Sequence, residues 1–389
     1  MKKTLGEKIR EQFSRLAILR PIIDDVDLER TAIVTFTRTL EEALHYYAQK
    51  IRKASSPPHF ILADWHGTDR KKMENEIAAN HRVHIFTLAE HILGDKRPLC
   101  VYTSPPTNPM DWWKDFHFNH MVRLLRSQGV FVCGIDAAAV QSRPQRQALP
   151  GYFEDHIAEI CSIYAGLANA ESRETFLRAV KVRVTGNAGW LPLAEYGKYH
   201  HPLVSPGLGD VVCVGGLLAG RSASAQAWCV GPGGRVYGFE PEPTNAAVSQ
   251  RNLRFFPNVT VENFGLWSTK ATLHIENKYS SSTIQEQASS CSQECRTVTL
   301  DEYLADRGKH CDLISLDVEN AEMQVLQGAI QTIHQHRPKL QISIYHSDEQ
   351  FLQIPLMLMR ENLGYSFYIG CHSAWYTETT LYATTSATI

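Results

Sequence analysis

The sequence predicts an α/β protein. Its carboxy-terminal part is built on a mostly parallel sheet closed by an antiparallel hairpin, preceded by a smaller α/β domain and a helical linker. Three observations carry this expectation. Apolar, β-branched runs alternate with helical segments through both halves of the chain, as they do in parallel sheets. In the second half, polar residues end several of those runs, at the edge where open α/β sheets bind ligands. The last two runs, "YSFYIGCH" and "ETTLYATT", are joined by a short loop of turn-type residues, as in a hairpin.

In the first half, a helical opening leads to the short strand "TAIVTF". "TLEEALHYYAQKIRKA" follows, with Leu40, Ala43, Leu44, Tyr47 and Ile51 at helical spacing. "HFILADWHGTD", "RVHIFTLAEHIL", "PLCVYTSPP" and "GVFVCGID" supply further strands, the last two separated by the helical "FHFNHMVRLLRSQ". These define an amino-terminal α/β domain over residues 1–136, of unknown role. Polar and aromatic groups follow its strands in "ADWHGTD" and "VYTSPPTNPMDWW", where ordinary loop chemistry is the simpler reading. Residues 137–204 read as a helical and loop-rich linker, and 205–389 as the second domain. Its strands are "DVVCVG", "GRVYGFEP", "NVTVENFGLW", "CDLISLDVE" and "KLQISIYHS", followed by the hairpin.

Composition narrows the function classes. Of 389 residues, 43% are hydrophobic and 21% charged, which suits a soluble globular chain. A formal net charge of -2 gives no electrostatic reason to expect nucleic acid or an anionic membrane as partner. No apolar run approaches the roughly 18–20 residues of a membrane span, and "MKKTLGEKIREQFSRLAILR" lacks the apolar core of a secretory signal. The nine cysteines are scattered, most of them in apolar runs, so a reducing cytoplasmic setting fits best. Cys291 and Cys295 are the one close pair, and without a second ligand pair they predict no metal site.

The candidate ligand edge contains the turn Cys213–Gly220, Glu240, Asp317, Glu319, His346 and His372. "GDVVCVGGLLAGRSASA" (209–225) has the outline of a strand, a glycine turn and a helix, as in nucleotide-like cofactor sites. Glu240 ends the next strand, where an acid accepts the hydroxyl hydrogens of an adenosine ribose or simply opens a helix. Asp317 ends the buried run "LISL". It suits a cofactor ammonium, a substrate hydroxyl or a cation, or an N-cap for "NAEMQVLQGAIQTIHQH". His346 and His372 end the following strands; a histidine there accepts a proton near neutrality or is structural.

Several stretches together resemble one family. "VYGFEPEP", "FGLWSTKATLHIE", "RTVTLDEYL", "LISLDVENAEMQVLQGA" and the ending from "ISIYHSDEQFLQIPLMLM" onward are similar to the FkbM family of S-adenosylmethionine-dependent methyltransferases. The resemblance covers roughly residues 205–386. It implies a Rossmann-like methyltransferase domain, S-adenosylmethionine as cofactor, and methyl transfer to a hydroxyl oxygen of a sugar, polyketide or related metabolite. Two departures stand out. Cys213 replaces the usual Asp of an Asp-Val-Gly-Ala turn, with Ala219 in the later glycine position, and Asn320 replaces the glycine of Asp-Val-Glu-Gly-Ala-Glu.

On that alignment Cys213, Gly215, Gly216, Glu240 and Asp317 are the cofactor contacts, and His346 or Asp317 is the base. Glu319 and His372 contact substrate or the groups behind it. A divalent cation is compatible but not called for by any paired-carboxylate cluster. The partners expected are a small-molecule or glycan acceptor, and a homo-oligomer is left open. Two rivals remain: an inactive methyltransferase-like binding or assembly protein, motivated by Cys213 and Asn320, and a dinucleotide oxidoreductase, which the missing G-x-G-x-x-G disfavours.

Overall fold

The computed structural model describes residues 149–185, 192–276, 283–285, 292–373 and 378–385, five short strands in the first half, and the single residues Glu7 and Gln287. The chain divides into two compact units: residues 1–161, 177–193 and 373–376, and residues 162–176, 194–372 and 377–389. The stretch 137–204, read as a linker, is thus shared between them.

The described strands of the first unit are β1 (Ala32–Thr35), β2 (His59–Leu62), β3 (His84–Thr87), β4 (Leu99–Thr103) and β5 (Val132–Asp136). They form one parallel sheet in the order β3-β2-β1-β4-β5. Each lies inside a run read as a strand from the sequence. The helix carrying Leu40 to Ile51 and the loops after "HFIL" and "LCVYT" lie outside the described residues. Three helices follow, α1 (Leu149–Asp155), α2 (Ile157–Gly166) and α3 (Ala170–Thr185).

The second unit opens with β6 (Val211–Gly215), α4 (Arg221–Val230), β7 (Arg235–Phe239), α5 (Pro243–Leu253) and β8 (Val259–Glu262). Then come β9 (Gly265–Leu266), β10 (Ala271–Glu276), β11 (Thr283–Gln285), β12 (Ser292–Val298) and α6 (Leu300–Ala305). It ends with β13 (Leu313–Leu316), α7 (Glu322–Gln327), α8 (Ile330–His336), β14 (Lys339–Ser343), α9 (Asp348–Arg360), β15 (Ser366–Cys371) and β16 (Thr379–Thr384). Seven of the strands form one sheet in the order β15-β16-β14-β13-β6-β7-β8. All neighbours are parallel except β16, which is antiparallel to both β14 and β15. The expected hairpin closes the sheet, with its second strand inserted next to β14.

The central strands are nearly continuous apolar runs because helices cover both faces of the sheet. On one face Ala223, Ala227 and Val230 of α4 pack with Val212, Val214, Val236 and Leu313. Phe351 of α9 stacks on Phe176 at 5.4 Å between centroids. Local signals set the helix starts: Glu242 accepts from Asn245 N (2.6 Å) with Pro243 in the first turn, Thr299 from Glu302 N (3.0 Å), and Ser347 from Gln350 N (3.1 Å).

Two local expectations are corrected. "NVTVENFGLW" is not one strand: β8 and β9 separate at Asn263, and β9 joins a second sheet, β11-β10-β12-β9. Leu273 and Ile275 alternate inward there and pack with Trp267 and buried Cys295, a period-two pattern in a stretch read as helical or mixed. Cys291 lies outside the described residues. "NAEMQVLQGAIQTIHQH" is not one helix either. It breaks between α7 and α8, where a Cβ on Gly328 would lie 2.1 Å from the Trp267 carbonyl oxygen. Among the described residues no helix is long and apolar enough to cross a membrane.

The turn after β6 depends on Gly216. Its φ is +81°, and a Cβ there would sit 1.9 Å from the Asp317 carbonyl oxygen, so β6 and β13 approach this closely only with glycine. Gly216→Ala is expected to destabilise the protein by at least ~2 kcal/mol, read from the midpoint of a urea titration. An unchanged midpoint would refute the close approach.

Candidate functional site

At the carboxyl edge of the sheet, the Glu240 carboxylate reaches back to the glycine turn. Oε2 accepts from Leu217 N (3.2 Å) and Oε1 from Glu242 N (3.2 Å), and the residue is 6% exposed. The turn passes through Ala219 at φ +20° and Gly220 at φ +83°, so the left-handed residue falls one place later than in the family pattern. Cys213 does not join this surface. Its side chain is fully buried, and the neighbouring Cys311 thiol together with burial raises it well above the ordinary thiol range. Cys213, expected among the cofactor contacts, therefore presents its backbone and not its side chain to this edge.

One strand over, Asp317 meets a lysine that the sequence did not single out. Lys198 Nζ donates to Asp317 Oδ2 (2.9 Å) and Glu378 Oε2 (2.6 Å), with 8% of its side chain exposed. Tyr345 donates its hydroxyl to Asp317 Oδ1 (3.0 Å). The loop bearing Lys198 is fixed from below: Gln341 Nε2 donates to Val204 O (2.8 Å), and Gln226 Nε2 donates to Gln341 Oε1 (2.8 Å). Tyr382 donates its hydroxyl to Lys198 O (2.7 Å). Burial alone would raise the Asp317 carboxyl, but the Lys198 ammonium, aided by His346, holds it at about 2.

His346 lies among three carboxylates. Nδ1 is 2.9 Å from Glu322 Oε1, and Nε2 is 3.5 Å from both Asp317 Oδ1 and Glu319 Oε2. Burial disfavours the charged ring, yet Glu322 first, then Asp317 and Glu319, raise it to about 9. Glu319 is raised to about 7, chiefly by burial. Glu322 is fully buried and its Oε1 also accepts from Val318 N (2.9 Å). That contact tightens the turn before α7, so Asp317 is not the cap expected there. The turn runs through two left-handed residues, Glu319 (φ +51°) and Asn320 (φ +76°). The glycine of the family pattern suits the second position, and asparagine is the side chain that tolerates it best.

The structure therefore brings Asp317, Glu319 and His346 together, and places Gly215, Gly216 and Glu240 along the same edge. His372 stands apart from the carboxylates: Nε2 is 2.6 Å from the Tyr382 hydroxyl and Nδ1 3.2 Å from Tyr196 O. Sequence reasoning missed Lys198, Glu322, Tyr345 and Glu378. Glu322 and Tyr345 adjoin motif residues and were open to inspection. Lys198 and Glu378 sit 119 residues before and 61 after Asp317, in loops with no pattern of their own.

Two outcomes test this arrangement. Lys198→Met is expected to lower stability by about 2–4 kcal/mol at neutral pH, because two carboxylates lose their ammonium. Adding Asp317→Asn is expected to restore part of the loss in the same urea titration. His201 supplies a pH signature. It is stacked on Tyr382 at 4.6 Å, its Nδ1 accepts from Leu203 N (3.1 Å), and burial lowers its pKa to about 4. The unfolded chain binds this proton below about pH 6.5, whereas the folded one binds it only near 4. Stability is thus full above 6.5 and falls, by on the order of 2 kcal/mol, as pH drops to 4. His201→Phe is expected to flatten that part of the stability–pH curve.

Residues 215–367 match the family model described as the methyltransferase FkbM domain. The fold is similar to that of a methyltransferase FkbM from Methylobacillus flagellatus KT, with a TM-score of 0.56 at 14% identity, over 97% of this chain and 100% of that one. A second similar structure is Aeropyrum pernix fibrillarin in complex with S-adenosyl-L-methionine, at a TM-score of 0.32 and 15% identity, over 46% of this chain and 67% of that one. No curated protein matches the sequence. Residues 215–367 are thus similar to a methyltransferase FkbM domain, and they lie on a mostly parallel, Rossmann-like sheet.

Proposed function

We propose that this domain transfers a methyl group from S-adenosylmethionine to a hydroxyl oxygen of a small metabolite of the sugar or polyketide class. The observation that carries the reading is one edge of one sheet. There the β6 turn and Glu240 stand beside a charged cluster at the ends of β13 and β14. The residues present fit the cofactor. The glycine turn Gly215–Gly216 ends β6 at this edge, and the Glu240 carboxylate, set by Leu217 N and Glu242 N, is an acceptor suited to a ribose diol.

The bound sulfonium supplies a methyl group that is already reactive. The chain's own work is to align the acceptor and take its proton. Both Asp317 oxygens are engaged, by Lys198 and Tyr345, and His346 is enclosed by carboxylates. Glu319 has 27% of its side chain exposed and meets His346 only at 3.5 Å. Proton acceptance is therefore assigned to Glu319, with Asp317 and His346 holding its charge and orientation. His372 supports Tyr382, and through it the Lys198 loop.

The test is calorimetric titration of S-adenosylmethionine and S-adenosylhomocysteine into the wild type and Glu240→Ala. Micromolar binding, weakened at least about tenfold in the variant, is expected. Glu240→Gln, which keeps an acceptor for Leu217 N, controls for folding. No binding by folded wild-type protein would overturn the proposal in favour of a binding or assembly protein, the reading that buried Cys213 favours.

A further inference from the structure

We infer that Asp317, Glu322 and His346 form a binding site for one first-row divalent cation of the manganese or zinc kind. One carboxylate oxygen each from Asp317 and Glu322 and one His346 ring nitrogen lie within 4.8 Å of one another. An ion bonded at about 2.1 Å to each holds opposed ligands about 4.2 Å apart, and because Asp317 faces Nε2 and Glu322 faces Nδ1, the imidazole or the Glu322 carboxylate turns so that one ring nitrogen meets the ion. Sequence reading called for no metal because it saw Asp317 and Glu319 without Glu322.

The second observation is that three polar atoms of the cluster, Glu322 Oε2 and the two His346 ring nitrogens, are buried without a hydrogen bond from the protein. Both ring nitrogens of His346, whose side chain is 8% exposed, lack an aligned hydrogen bond despite the nearby oxygens. Glu322 is fully buried, and its Oε2 has no hydrogen-bond partner. A fully buried carboxylate oxygen without a donor is unfavourable, and a bound cation would complete it.

Charge points the same way. Four carboxylates, Asp317, Glu319, Glu322 and Glu378, surround one ammonium, Lys198, and one imidazole. Lys198, paired with Glu378, occupies the far side on Asp317 Oδ2, while Oδ1, which also accepts from the Tyr345 hydroxyl, faces His346 and keeps a second lone pair for an ion. A mixed carboxylate and imidazole set suits manganese(II) and zinc(II) better than a soft ion. Three protein ligands leave positions for water or an acceptor oxygen, with Glu319 at the rim. When the ion enters, the ring gives up any proton it carries to solvent.

Binding of the ion does not depend on methyl transfer; only its role toward an acceptor oxygen rests on the function proposed above. The full chain, stripped with a chelator, is titrated with manganese(II), and free ion is read by electron paramagnetic resonance. Zinc(II) is then tested by competition. One site of micromolar affinity, with nitrogen-14 modulation from an imidazole ligand, is expected. His346→Gln should remove the modulation, and Glu322→Gln should weaken binding at least about tenfold.

If Glu322→Gln does not fold, the nitrogen signal and Asp317→Asn decide the matter. No binding at millimolar manganese or zinc by folded protein would overturn the inference. So would binding with no nitrogen signal, or binding indifferent to these substitutions. Failure of S-adenosylmethionine binding alone would leave the metal result standing and would overturn only the proposed function.

Discussion

The contact on which the ligand edge depends is the ion pair between Lys198 and Asp317, at 2.9 Å. A strand-end carboxylate at the centre of a doubly covered sheet stays ionised only if a cation is brought to it. That cation arrives on a loop far away in sequence, which Gln341, Gln226 and Tyr382 fasten to the sheet through its backbone. With Asp317 ionised, Tyr345 has an acceptor and His346 a countercharge. Removing the lysine would undo more than one bond.

A second constraint lies in the backbone. Gly216 lets β6 touch the carbonyl of Asp317, and two left-handed residues, Glu319 and Asn320, then turn the chain so that Glu322 folds back onto Val318 N. The turn gathers three acidic side chains, Asp317, Glu319 and Glu322, from the six residues that follow the strand end. A regular helix beginning directly after β13 would spread them around its circumference. Strain in this turn is how the chain assembles a cluster that plain helix geometry would disperse.

Much of this was legible in the sequence. Continuous apolar runs such as "LISL" marked the buried strands, and polar residues at their ends marked the candidate ligand edge, because both patterns reflect local periodicity. Asp317, Glu240 and His346 were found that way. Lys198 and Glu378 were not, since nothing in "YGKYHH" or "WYTE" reports a partner across more than fifty residues. The small second sheet was missed for a related reason. Its strands are short, and one pairing, β9 with β12, brings together segments about thirty residues apart.

The cysteine in the cofactor turn is best understood through burial. An aspartate at position 213 would need its own partner in the sheet, where the Cys311 thiol now stands. Cysteine fills that space as a small apolar side chain and removes a buried charge that would otherwise have to be stabilised. At the turn, the remaining acid in contact with its backbone is Glu240, through Leu217 N. Whatever affinity the turn has for a ribose-bearing cation is therefore concentrated in that carboxylate and in the negative cluster one strand away. On the function proposed above, Asp317 and Glu319 would still favour a positively charged ligand at this edge, so exchanging one charge in the turn for a better-packed sheet is compatible with that function.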